Sequence, residues 1–68
     1  MNYHFVNSSD AIEWLREQVD SDLDDTSVRA DMTSYLIISH EDKLGFLVYQ
    51  EGPEFEEVDY EEAKAKYF

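Results

Sequence analysis

Four carboxylates crowd six positions in the stretch VDSDLDD, at Asp20, Asp22, Asp24 and Asp25. Oxygen-rich clusters of this kind attract hard divalent cations, and the spacing invites comparison with a twelve-residue calcium loop. Asp20, Asp22 and Asp24 fall at positions one, three and five of such a loop, and Asp31 falls at position twelve. The rest departs from the pattern. The glycine needed at position six is Asp25, the apolar position eight is Ser27, and the long bidentate Glu at the end is the shorter Asp31. From Met32 onward the chain runs into β-branched strand sequence where an exit helix should begin. A weak calcium site over residues 20–31, with Asp20, Asp22, Asp24 and Asp31 as candidate ligands, is therefore a third reading. A solvated acidic helix end stands ahead of it, and no metal is expected.

Other chemistry finds little to work with. His4 and His40 are the two imidazoles. His40-Glu41-Asp42 carries metal-compatible side chains, but three adjacent residues in a tight turn rarely converge on one ion. His4 reads as a packing residue in a strand. No serine sits in a Gly-x-Ser-x-Gly elbow, and two glycines in the whole chain exclude a Gly-rich phosphate cradle. With seventeen Asp and Glu present, any one pair of carboxylates says nothing about acid–base catalysis. The expectation is a protein that is not an enzyme and needs no cofactor. Tyr3, Trp14, Tyr35, Tyr49, Tyr60 and Tyr67 could suggest base stacking, but stacking platforms require a basic groove and the charge here has the opposite sign.

Sixty-eight residues set the scale of the elements that carry these side chains, and that scale is one domain, 1–68, near the size where a single core becomes marginal. An apolar fraction of 43% is too high for a disordered acidic tail. The absence of cysteine suits a reducing compartment, and the N-terminus lacks the basic and apolar segments of a signal peptide. A cytoplasmic location is expected.

Alternation over Asn2–Val6 predicts a first strand. Ser8, Ser9 and Asp10 offer N-cap oxygens, and Asp10 with Glu13 has capping-box spacing. Ile12, Leu15 and Val19 then form a helical stripe with Ala11 and Trp14 at its margin, ending near Asp20 to Leu23. Asp24–Thr33 reads as an irregular connection. SYLIISHEDKLGFLVYQ reads as a hairpin turning at His40-Glu41-Asp42-Lys43. Gly52-Pro53 breaks its second strand, and Phe55–Val58 suits a short edge strand. Asp59 caps a last helix, with Glu62 at capping-box spacing. The predicted order is β-α-β-β-(β)-α: an α+β domain with a small antiparallel sheet of three or four strands and two helices mainly on one face.

Placed on these elements, the acid falls into two tracts. The first runs from Asp10 through Glu13, Glu17, Asp20, Asp22, Asp24 and Asp25 to Asp31. The second holds Glu54, Glu56 and Glu57 within a longer acidic run ending at Glu62. A formal net charge of −12 argues against direct contact with nucleic acid or an anionic membrane and favours a basic protein partner. Trp14, beside the first tract, is a candidate anchor for that partner. In size, charge and lack of catalytic residues the chain resembles the small acidic inhibitors that phages and mobile elements direct against restriction, CRISPR or repair proteins. That resemblance implies a DNA or RNA mimic occupying a basic nucleic-acid-binding surface. The alternative is a structural or adaptor module, in one version dimeric, working through an apolar surface.

Overall fold

The structure is a computed structural model describing residues 5–68, and it forms α1 (Ser8–Val19), β1 (Thr26–Ala30), β2 (Ser34–Ser39), β3 (Leu44–Tyr49), β4 (Glu54–Val58) and α2 (Tyr60–Tyr67) in that order. The strands make one antiparallel sheet in the order β1-β2-β3-β4, a meander in which each strand pairs with its sequence neighbour. The α+β class and the antiparallel sheet agree with the sequence reading. Two elements do not. Asn2–His4 of the expected first strand lie outside the described residues, and Phe5 and Val6 belong to no strand. The segment read as an irregular connection contains β1 instead, because Val28 pairs with Ile37 and the ladder with β2 extends from Thr26↔Ser39 to Ala30↔Tyr35.

The helices lie on opposite faces of the sheet, not on one. Tyr35 and Ile37 of β2 join Phe46 and Val48 of β3 beneath α1, whose Ala11 and Leu15 complete that core with Phe5 and Leu23. The alternate residues Leu36 and Ile38 point the other way and pack with Tyr60 and Ala63 of α2. Successive side chains of a strand face opposite sides, so β2 needs apolar residues at every position when both faces are covered. That requirement is why its sequence runs through Tyr-Leu-Ile-Ile without alternation.

Helix ends are closed by side chains. Asn7 is the N-cap of α1, accepting from the backbone N–H of Asp10 at 3.1 Å, while an Asp10 carboxylate oxygen accepts from the N–H of Val6 at 3.2 Å. The cap thus lies one turn ahead of the Asp10–Glu13 box. Asp59 caps α2 as its spacing implied, accepting from the Glu62 N–H at 2.9 Å.

Gly45 permits the closest approach in the sheet. A Cβ there would stand 3.1 Å from Val58 Cγ2 and 3.2 Å from the Val58 carbonyl oxygen. Both neighbours are held by the β3–β4 ladder, so Gly45→Ala is expected to overpack the α2 face and lower stability by about 1–3 kcal/mol, read as a reduced urea midpoint with unchanged slope.

Candidate functional site

The VDSDLDD stretch folds as a tight turn pinned at its backbone. Asp20 ends α1 in the left-handed conformation, φ 53°, and the N–H groups of Asp20 and Ser21 both reach the Arg16 carbonyl. Leu23 and Asp25 are also left-handed, at φ 45° and 54°. A non-glycine side chain in that region is uncommon and strained. Here the strain is held by a buried anchor and a ring of hydrogen bonds. Leu23 is fully buried in the α1-side core. The Arg16 Nε–H donates to the Asp22 carbonyl at 2.6 Å, the buried Ser39 hydroxyl lies 2.7 Å from the Asp24 carbonyl, and the His40 N–H donates to the Asp25 carbonyl at 2.9 Å. With its carbonyls directed inward, the turn leaves the carboxylates of Asp20, Asp22, Asp24 and Asp25 exposed.

Asp31 is not brought to them. The whole of β1 separates it from Asp25, a rise of roughly 17 Å for five residues of strand. Among the described residues no group of His, Asp and Glu is arranged to hold a metal ion.

The other site residues lie on α1 and β4. Glu13 and Glu17 are exposed on the outer side of α1, and Glu54, Glu56 and Glu57 are exposed on β4, an edge strand of the sheet. Trp14 is half-buried. Its ring stacks edge-on against Phe5 at 5.5 Å and Phe55 at 5.9 Å, and Phe55 stacks on Phe46 at 6.0 Å. This aromatic chain lays α1 against β4. Alternation along β4 puts Glu57 on the α1 face with Phe55, while Glu54 and Glu56 point to the other face with Val58, where Glu56 meets the Tyr49 hydroxyl.

The cations are engaged elsewhere. Arg16 binds the Asp22 carbonyl, and Arg29 donates to the Tyr67 carbonyl at 3.3 Å. Lys43 and Lys64 lie over the Tyr60 ring at 5.5 and 5.7 Å, and Lys66 lies over Tyr67 at 5.4 Å. These are all five Lys and Arg of the chain. Among the described residues none is ion-paired with a carboxylate, including the Glu62–Lys66 pair that helical spacing suggests. Every Asp and Glu except the half-buried Asp10 is exposed. The negative field is accordingly presented to solvent with little local compensation.

Sequence reasoning missed one polar cluster. His40, read as a solvated turn residue, is half-buried, with Nδ1 2.7 Å from the Tyr60 hydroxyl and Nε2 2.8 Å from Ser27 Oγ. The three residues tie β1, the β2–β3 turn and α2 together. They are too far apart in the chain for any local pattern to reveal them. Beside α2 a groove of about 600 Å³ has Leu36, Leu47, Val58 and Ala63 in its lining, with Arg29 and Lys66 among its polar residues. No described helix is long and apolar enough to cross a membrane. Comparison with protein-family models, curated proteins and solved structures found no match to this chain.

Two measurements check the electrostatics. Asp20 places a carboxylate at the negative end of the α1 dipole and an L side chain in a left-handed cap, so Asp20→Gly is expected to stabilise the fold by about 1 kcal/mol in urea denaturation. Tyr49 donates its hydroxyl to Glu56 at 2.7 Å, and this bond, with the nearby Glu54 charge, raises its pKa above the ordinary 10.0. Because the folded value is raised, the contribution is present below pH 10 and lost as pH climbs through the folded pKa. Absorbance titration should show a late-ionising component that Glu56→Gln moves back toward the ordinary value.

Proposed function

We propose that this chain is a non-enzymatic binding protein that occupies a basic, nucleic-acid-binding surface on a protein partner by presenting carboxylates where that partner expects phosphates. The observation that carries the reading is the diversion of all five Lys and Arg onto aromatic rings and backbone carbonyls. A small protein selected for stability alone would gain from pairing Lys and Arg with its surplus acid, because a field this one-sided destabilises the compact state. Leaving the carboxylates free sacrifices that gain and preserves the charge for an encounter.

Scale supports the same reading. The molecule measures 33 Å along its longest axis. Duplex DNA of that length carries about 20 phosphates, at one per ~1.7 Å of axis. The seventeen carboxylates of the chain are comparable in number. The Trp14–Phe55 contact ties α1, which carries the exposed Glu13 and Glu17, to β4, which carries the exposed Glu54, Glu56 and Glu57, and the exposed Asp20, Asp22, Asp24 and Asp25 follow the end of α1. With its ring stacked edge-on against Phe5 and Phe55, the half-buried Trp14 offers a partner only its remaining exposed part. Such an inhibitor would act in the cytoplasm, on a restriction, CRISPR or repair protein of the kind the resemblance implies.

Two linked experiments test the proposal. Immobilised protein should capture a nucleic-acid-binding protein from lysate, and duplex DNA or RNA should release it. Replacing Glu13, Glu17, Asp20, Asp22, Asp24 and Asp25 by Lys should abolish that capture while circular dichroism stays unchanged. Affinity for the captured partner should also fall by on the order of a thousandfold between low and moderate salt, as for proteins that neutralise several phosphates. A captured protein that resists nucleic acid and salt alike would replace the mimic with an adaptor that binds through apolar surface.

A further inference from the structure

The two edges of the sheet are chemically unlike. β4 displays Glu54, Glu56 and Glu57, charges that discourage another strand from pairing there. β1, at the other edge, is TSVRA: no carboxylate, no proline, and a continuous one-to-one register with β2 that leaves no bulge. None of the usual devices that blunt an edge strand is present, apart from Arg29, and Arg29 is drawn to the Tyr67 carbonyl.

Among the described residues, the ladder shows which backbone groups of β1 have no strand partner. The His40 N–H bonds the Asp25 carbonyl and the Asp31 N–H bonds the Ser34 carbonyl, so residues 25 and 31 direct their backbone groups toward β2. In an antiparallel pair this direction alternates with a period of two. Ser27 and Arg29 therefore also face β2, while the N–H and C=O groups of Thr26, Val28 and Ala30 point out of the sheet. Exposed apolar surface gathers beside this edge. Met32 in the β1–β2 turn is 86% exposed, and Tyr67 and Phe68 are exposed at the end of α2 that Arg29 ties to β1.

We propose that β1 is a dimerisation edge, at which two copies of this chain pair their β1 strands antiparallel about a two-fold axis through Val28 and join their four-stranded sheets into one. This register matches the outward-pointing groups of Thr26, Val28 and Ala30 with their equivalents on the second copy. Val28 then faces Val28, Thr26 faces Ala30, and Ser27 faces Arg29, so no like charges oppose within the strands. A second copy is the occupant that β1 fits because the strand is self-complementary in this register, as an isologous two-fold contact requires. β1 is also the edge of the sheet that can meet another copy without bringing carboxylates together along its length. Just beyond the strands Asp25 and Asp31 come opposite one another at both ends of the ladder. That pair gives the contact a definite salt response: screening should tighten it. The proposal stands on the sheet edge and is independent of the function proposed above, whose complex responds to salt in the opposite direction.

Sedimentation across a range of protein concentration, at low and high salt, paired with amide exchange on the unaltered chain, tests the idea. The expected result is a mass rising from 8.0 kDa to twice that, with dimer appearing at lower concentration in high salt. The amides of Thr26, Val28 and Ala30 should slow by about tenfold or more as dimer forms, while those of Ser27 and Arg29 are protected throughout. Ala30→Pro removes an outward N–H and no bond of the β1–β2 ladder, and should hold the protein at 8.0 kDa with an unchanged circular dichroism spectrum. A monomer at all concentrations and salts overturns the proposal. So does a dimer in which Thr26, Val28 and Ala30 still exchange freely, or one that survives Ala30→Pro. Should Ala30→Pro fail to fold, exchange on the unaltered chain decides by itself.

Discussion

Burial of β2 on both faces is the constraint from which the rest of this structure follows. β2 pairs with both β1 and β3 and packs against both helices, and its Tyr35 to Ile38 supply side chains to two cores at once. A helix must then lie on each side, since either face left bare would expose a row of Leu, Ile and Phe to water. The chain meets this requirement with α1 before the sheet and α2 after it, joined by a four-strand meander whose neighbours in space are neighbours in sequence. Short connections suit a domain this small, because they limit the loop-closure entropy that its two thin cores must overcome.

The acidic turn is the price of fitting Asp-rich sequence against those cores. Leu23 reaches the α1-side core only because its backbone, with that of Asp20 and Asp25, turns left-handed. Glycine or asparagine would adopt that conformation more readily. Aspartate at these positions is therefore locally unfavourable, and at Asp20 the helix dipole opposes it as well. Ser39 and Arg16 compensate through the turn's carbonyls and leave its carboxylates alone. The hydrogen bonds that stabilise the turn and the charges that it displays are thus separate sets of atoms. Charge at the site can be altered without dismantling the turn.

Legibility in the sequence followed this division between local and distant causes. The β2–β3 hairpin, the Asp59 cap and the short β4 edge strand are written in patterns a few residues long, and each is found where those patterns place it. β1 was not legible, because TSVRA carries a single large apolar residue and becomes a strand through the ladder offered by β2. The placement of helices on opposite faces was present in β2 as an unbroken apolar run, the mark of a strand covered on both sides. The carboxylates of the candidate site could be named from sequence. The contact that ties α1 to β4 could not, since Trp14 meets Phe55 across 41 positions of chain. The Ser27–His40–Tyr60 cluster had no local signal at all.

Aromatic rings finally explain how so lopsided a charge distribution coexists with a fold. Lys43 and Lys64 approach the Tyr60 ring, and Lys66 approaches Tyr67, so the lysines strengthen the α2 side of the molecule through ring faces. A cation held over a ring keeps its charge, and three of the chain's five Lys and Arg sit this way beside α2. On that other side the ring chain from Phe5 through Trp14 and Phe55 to Phe46 is built of apolar contacts that need no counter-charge. The lysines that brace α2 through the faces of its rings are thereby not used for pairing with the exposed carboxylates, including Glu61 and Glu62 on α2 itself.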